Sequence, residues 1–395
     1  MRTLDIMVIG KGLAGSAAAK YLSVVTDNIA IIGPDEPEDY KDAIVYASHY
    51  DQARVQRMIG KDEVLTRLNT DSTKQYPEIE AASGIAFHQA VGCLYVNPYG
   101  TDDYLKHAKG LADTFELSFT KFGNGTSLNK RFTDFNFPES SMGLLETAPA
   151  GYINPRLLIA AQLKICKNQG VQIFNDTITG LSFNEGIFTA NTADDKSISA
   201  KKVLLATGSF LNFNNLITPK LSLKTKSEII LLAKMEEKEA QKLAQLPSLL
   251  YEIDEDNKDG IYLIQPVLYP DGNNYLKMGC NIPEDLYFDN LQQVQHWFLN
   301  ADTSIFEKRL KNELLQIMPH LTAIDYHTKK CIISRTAHGR PYIGESMQQG
   351  LYIAGGCNGY SAMCSDAIGH VAAQIILTGH YPKGYPEKAF EIMFQ

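Results

Sequence analysis

The sequence predicts an α/β protein of two domains, α+β in overall layout. A strand–helix domain is assembled from three separated pieces of chain, and a mixed or antiparallel sheet is inserted between them. Three observations carry the prediction. The stretch MVIGKGLAGSAAAKYL, Met7–Leu22, reads as strand, glycine turn and small-residue helix. Strand–helix patterning returns in AGYINPRLLIAAQLKICKNQG and KKVLLATG, and again in GLYIAGGCNGYSAMCSDAIGHVAAQIILTG. Between these units, apolar and aromatic runs are broken by turn residues, as in hairpins.

Taken in order, Asp5–Gly10 is continuously apolar after its first residue, as a buried parallel strand requires. Ala14–Val24 is its helix, and NIAIIG, Asn28–Gly33, is the next strand. Pro34, Asp35, Glu36 and Pro37 then break regular structure. In the second unit Asn154 is an N-cap and Pro155 suits the first helical turn. Leu158, Ala161 and Ile165 share one face, and Gly170 suits the C′ position. Short strands at Val171–Phe174, Thr177–Phe183 and Gly186–Asn191 precede the stronger one at Lys201–Gly208. In the third unit Leu351–Ala354 is a strand and Gly355–Gly359 a flexible loop. From Ser361 or Ala362 a helix buries Ile368, Val371, Ala372 and Ile375. Gly84–Val96 and Ile261–Cys280 pattern as antiparallel strands, with a hairpin at YPDGNNY, Tyr269–Tyr275. Ser227–Leu246, rich in Glu, Lys and Ala, is helix-prone. The expected boundaries are 1–80, 145–212 and 325–395 for the first domain and 81–144 and 213–324 for the inserted one.

The 395 residues, 44% hydrophobic and 21% charged, suit an ordinary globular protein of this size. The net charge of −8 argues against a nucleic-acid partner. No apolar run approaches the roughly 18–20 residues of a membrane span. Asp5, Lys11 and three glycines interrupt the N-terminal apolar run, which argues against a signal peptide. Cys93, Cys166, Cys280, Cys331, Cys357 and Cys364 are scattered without a C-x-x-C pair. That pattern points to free thiols in a reducing cytoplasm, with neither a disulfide framework nor a metal site.

Gly10, Gly12 and Gly15 form G-x-G-x-x-G between a strand and a helix, the setting in which this motif binds a dinucleotide. The first glycine permits the tight turn, the second lets backbone approach the pyrophosphate, and the third lets helix and strand pack closely. Leu13 and Ala14 open the helix, whose free N–H groups and positive dipole end face the phosphates. A glycine-rich turn in an unrelated α/β fold is the alternative. The acid that usually reads the ribose should end the second strand. Gly33 stands there, and Asp35 and Glu36, which follow at once, are the candidates. The strand ending in Ala206, Thr207 and Gly208 lies far downstream. Such an ending is familiar in two-domain flavoproteins, where the turn passes close to FAD and leaves for the other domain.

With these pieces in order, the chain resembles the D-amino-acid oxidase family of FAD-dependent oxidoreductases, nearest to its glycine oxidase and monomeric sarcosine oxidase branches. ASHYDQARVQRM, Ala47–Met58, is similar to the family segment whose His and Arg residues approach flavin and substrate. The resemblance implies that His49 shapes the flavin environment and that Arg54 and Arg57 stabilise reduced flavin or fork onto a substrate carboxylate. RTAHGRPYIGE, Arg335–Glu345, and the glycine loop after it resemble the C-terminal signature, in which the last strand and helix bracket the isoalloxazine. Gly356, Asn358, Gly359, Tyr360 and Ser361 are the expected contacts there, with Tyr360 also a candidate at the substrate. Cys331, in KKCIIS, matches the cysteine that forms a thioether to the 8α carbon of FAD in sarcosine oxidase-like members. A buried, unreactive thiol is the alternative.

The chain departs from the family at two places. Met363 stands where sarcosine oxidase-like enzymes often carry a carboxylate-holding lysine, and Ile333 where glycine oxidase-like enzymes use an arginine. Tyr360, His338 and Arg340, or Tyr262, Tyr269 and Lys277 of the inserted sheet, are the remaining polar candidates. The resemblance implies a Rossmann-like FAD-binding domain and a substrate domain. It implies a cytoplasmic enzyme that oxidises a C–N bond of a small-molecule amine or amino acid and passes the electrons to oxygen or another acceptor. An NAD(P)-dependent dehydrogenase and a flavin-binding protein without amine oxidase activity stay open as alternatives.

Overall fold

The computed structural model describes residues 3–100, 103–251 and 260–395. Its first sheet is built outward from the N-terminal strand Leu4–Ile9. That strand pairs in parallel with Ile29–Ile32 on one side and with Ser197–Leu205 on the other. Gln172–Phe174 extends the sheet beyond Ile29–Ile32, and Leu351–Gly355 pairs in parallel beside Ser197–Leu205. An antiparallel hairpin, Ile178–Asn184 and Ile187–Thr192, joins the early part of Ser197–Leu205. The beginning, middle and end of the chain thus supply neighbouring strands. The register sets Ile9 opposite both Ile32 and Leu205, and Leu205 opposite Ile353. The turns at Gly10, Gly33, Ala206 and Gly355 therefore leave the sheet at one edge, the carboxyl ends of parallel strands where α/β sheets bind ligands.

One face of this sheet is covered by helices Leu13–Leu22, Glu63–Ser83, Pro155–Asn168 and Ser361–Thr378. Asn154 caps the third by accepting from the N–H of Leu157, with Pro155 in the first turn. The first and last helices touch through small residues, Ala17 and Ala18 against Gly369, where a Cβ would not fit. Asp366 lies fully buried between them. It accepts from Lys20 Nζ at 2.7 Å, from Tyr21 Oη at 2.6 Å and from Gln162 Nε2 at 3.3 Å. The packing of N-terminal onto C-terminal helix is thereby tied by a buried ion pair as well as by apolar contact. No helix among the described residues is long and apolar enough to cross a membrane.

Among the described residues the second sheet has nine strands. Leu223–Met235 lies near one side, paired with Asp325–Thr336 on one flank and Asn274–Cys280 on the other. Ile261–Leu268, Ser248–Tyr251, Cys93–Asn97, Met142–Glu146 and Phe119–Phe122 follow in order. The hairpin expected at Tyr269–Tyr275 joins Ile261–Leu268 to Asn274–Cys280, closed by the Tyr269 N–H on the Asn273 carbonyl. Two expectations are corrected. Ser227–Leu246 is not a helix: its first part belongs to Leu223–Met235, and only Glu237–Leu243 is helical. Ile229–Ala233 is buried on both faces, and that burial outweighs the helix propensity of the flanking Glu and Lys. Asp325–Thr336, grouped above with the first domain, runs in the second sheet and leads back to the first.

Asp366→Ala leaves the Lys20 ammonium buried without its carboxylate. It is expected to destabilise the fold by about 3–5 kcal/mol, read as a lower midpoint in chemical denaturation, with Asp366→Asn milder.

Candidate active site

A cavity of about 370 Å³ opens between the two sheets at the edge where the parallel strands end. The N-terminal turn forms its floor. Gly10 has φ +111°, and a Cβ there would overlap the carbonyl oxygen of Ala206; a Cβ on Gly15 would overlap the carbonyl of Gly10. The two turns pack backbone to backbone and leave room above them. Gly10, Gly12, Leu13, Ala14, Ala206, Thr207 and Gly208 all border the cavity. The hydroxyl of Thr207 is buried without a hydrogen-bond partner. A close-packed glycine cradle, a helix N-terminus and an orphaned hydroxyl suit the phosphate-bearing part of a dinucleotide. Gly15 lies behind this surface and serves packing.

The C-terminal loop closes the far side. Gly356, Asn358, Gly359, Tyr360 and Ser361 line the cavity, as do Met363 and Ile333. The Asn358 side chain is already committed. Its Oδ1 accepts from the Thr336 N–H at 3.0 Å, and its Nδ2 donates to the Gly356 carbonyl at 2.8 Å. It pins the loop to the second sheet and presents the helix start of Ser361–Thr378 to the cavity.

The expected ribose acids are not at the cavity. The strand ends at Ile32, and a Cβ on Gly33 would meet the backbone and Cβ of Lys11, so Lys11 fills that corner. Lys11 Nζ reaches Asp35 Oδ1 at 2.5 Å, and Glu36 is paired with Arg156 at 2.5 Å. Neither acid borders the cavity, whereas Lys11, Gly33 and Pro34 do. His338 and Arg340 are also drawn away. His338 contacts the Glu391 carbonyl at 3.0 Å, and Arg340 is held by Asp62 at 2.8 Å.

His49, Arg54 and Arg57 are brought together in one wall. His49 sits against Gly12. Burial, together with the charges of Arg156, Arg54 and Lys11, lowers its imidazole to about 3, so it is neutral at ordinary pH. Arg54 pairs with Asp51, donates to the Ser48 carbonyl at 2.6 Å and lies 3.9 Å from Cys331 Sγ. Asp51, buried, also receives Tyr269 Oη and Lys277 Nζ, each at 2.7 Å. Tyr269 and Lys277 therefore serve as supports behind Arg54, and of the three polar candidates from the inserted sheet Tyr262 alone borders the cavity. Burial and the neighbouring Arg54 push the Lys277 ammonium well down.

Arg57 is different. It is buried and faces aromatic partners: the rings of Tyr95 and Tyr360 at 5.4 and 5.9 Å and the Tyr104 hydroxyl at 3.4 Å. Its Nε has no hydrogen-bond partner. The sequence reading did not single out Tyr104, Lys61, Glu228, Asn281 or Arg335, all of which border the cavity. Only strand alternation marks Glu228, which lies opposite Cys331 in the ladder. Cys331 itself borders the cavity.

A family model described as DAO, FAD dependent oxidoreductase, matches residues 5–375. N-methyl-L-tryptophan oxidase of Yersinia pestis (strain Pestoides F) is 24% identical over 209 residues, 52% of this chain and 54% of that protein. The chain thus spans about half the length of the curated relatives it matches. Among solved structures, NikD, described as an unusual amino acid oxidase essential for nikkomycin biosynthesis, superposes with TM-score 0.76 at 16% identity, covering 100% of this chain and 98% of that one. L-proline dehydrogenase from P. horikoshii gives TM-score 0.74 at 16% identity, covering 99% of this chain and 97% of that one. Amadoriase I from Aspergillus fumigatus gives TM-score 0.75 at 16% identity, covering 98% of this chain and 89% of that one. At these identities the structural likenesses establish the fold.

Gly12→Val places a branched side chain between the turn and His49. The variant is expected to keep its circular dichroism and to purify without the flavin absorbance of the parent.

Proposed function

The chain belongs to the family of FAD dependent oxidoreductases, and from that premise we propose that it oxidises the carbon–nitrogen bond of a small amine or amino acid. The observation that carries the reading is Arg57: a buried guanidinium at the cavity, surrounded by tyrosines, with an unpartnered Nε. Tyrosines hold its side chain, and the buried Glu146, whose charge reaches it, is itself engaged by the Met58 and Ile59 N–H groups and the Tyr95 hydroxyl. A carboxylate entering the cavity would supply the missing charge and a charge-assisted hydrogen bond. This arrangement answers the apolar Met363 and Ile333, since anion binding falls to Arg57 rather than to those positions.

Bound FAD supplies the two-electron acceptor. The chain's own residues do the rest. The Gly10–Ala14 turn and helix start would hold the pyrophosphate. Thr207 offers its unused hydroxyl to the cofactor. The start of Ser361–Thr378, at the cavity, would offer N–H groups and a positive dipole end to the isoalloxazine and favour negative charge on it. Arg54, steadied by Asp51, adds positive charge beside Cys331. His49 stays neutral and takes no proton at working pH. Cys331, by the family resemblance, carries the thioether to FAD. Six free cysteines support a reducing, cytoplasmic setting. Oxygen or another carrier receives the electrons, and peroxide release on turnover tells them apart.

Anaerobic mixing with a panel of primary and secondary amines and amino acids tests the reaction. At least one should bleach the flavin, and a panel without effect refutes the reading. Arg57→Met should raise KM for the bleaching amino acid by about 10–100-fold, the worth of a charged hydrogen bond, with FAD content unchanged. On acid precipitation the flavin is expected to stay with the pellet, and in Cys331→Ser to pass to the supernatant.

A further inference from the structure

The cavity wall contributed by the larger sheet carries charge that the reaction outlined above does not use. Glu228 and Cys331 are directly opposed in the antiparallel ladder, so their side chains project on the same face, and both border the cavity. Among the described bordering residues Glu228 is the one acid. Lys11, Arg54, Arg57, Lys61 and Arg335 are the bases.

Glu228 shares its closest counter-charge with a second acid. Lys226 Nζ lies 3.2 Å from Glu228 Oε2, but 2.5 Å from Asp285 and 2.7 Å from Asn281 Oδ1. Two carboxylates share that ammonium, and Asp285 has the closer hold. Arg335 places an N–H 3.4 Å from the same Asn281 oxygen. Burial lifts the Glu228 carboxyl to about 7; Lys226 and Arg335 oppose the rise, and Asp285 adds to it. A buried carboxylate in this condition gains most from a further cation.

We propose that Glu228 is the counter-charge for a cationic nitrogen of the substrate, which makes it the residue that admits protonated amines to an otherwise positive cavity. The proposal rests on the carbon–nitrogen oxidation reading. Of the five bordering bases Lys11 is paired with Asp35 and Arg54 with Asp51, yet no carboxylate but Glu228 borders the cavity among the described residues. Glu228 reverses that local sign. Its register beside Cys331 places the reversal on the wall that faces the flavin site.

The test is binding rather than turnover. FAD-loaded protein is titrated calorimetrically, without oxygen, at pH 8, with benzylamine and with benzyl alcohol. The two probes share a shape and differ in charge. The parent is expected to prefer the amine by at least tenfold. Glu228→Gln, nearly isosteric, should abolish or invert the preference while keeping its FAD, and Glu228→Asp should retain part of it. A parent without preference, or a preference unchanged in Glu228→Gln, overturns the proposal and marks Glu228 as a partner of Lys226 alone. Loss of FAD in Glu228→Gln directs the same comparison to Glu228→Asp, where an unaltered amine preference across a carboxylate shortened by one methylene also overturns it. If no amine bleaches the flavin yet the charge preference stands and disappears in Glu228→Gln, the oxidation reading fails and Glu228 remains a cation site.

Discussion

The closeness of two turns decides where the cavity is. At Gly10 and Ala206 the backbones of strands nearly two hundred residues apart in sequence come so near that no side chain could stand between them. This contact requires Leu4–Ile9 and Ser197–Leu205 to be neighbours in parallel register. Once they are, Leu351–Gly355 has an edge to join, and the glycine loop beyond it is carried to the same side. The buried tie of Lys20 and Asp366 serves the same end from the helical layer, because it sets the first helix against the last. Every cavity wall from the first sheet follows from that assembly.

The second sheet contributes the chemistry that the first lacks. Its long strand pair, Leu223–Met235 with Asp325–Thr336, lays Glu228, Cys331, Ile333 and Arg335 along one cavity wall. Buried charges there are arranged in groups rather than singly: Asp51 gathers Arg54 and Lys277, and Lys226 is divided between Glu228 and Asp285. Groups of this kind contribute little net stability, since desolvation offsets most of the attraction. Their effect is to hold charged atoms at set positions around a space that the substrate must enter.

Much of the first sheet was legible because its signals are local. The glycine turn, the Asn154 cap and the strand ending at Ala206 each depend on neighbours within a few residues. The second sheet was less so. Glu, Lys and Ala after Ser227 suggest helix, but Leu223–Met235 is held as a strand by partners one hundred residues away. Asp35 and Glu36 lie off the cavity border for a related reason: spacing after Ile32 put them in range, and nothing local shows that Lys11 fills the corner at Gly33. His49, Arg54 and Arg57 could be picked out in advance by resemblance, but not their division of labour. That division depends on Asp51 engaging Arg54 while the described contacts of Arg57 are to tyrosines.

Met363 and Ile333 take on a different meaning beside these charges. Apolar residues at two expected ligand positions would suggest a site that had lost its substrate if those positions were the only source of polarity. They are not. Arg57 stands at the cavity with a donor to spare, and Glu228 is the one acid among the described bordering residues. Charged groups therefore border the cavity at positions other than Met363 and Ile333. Such a cavity favours a molecule with an anionic group, an apolar body and a nitrogen that can carry charge.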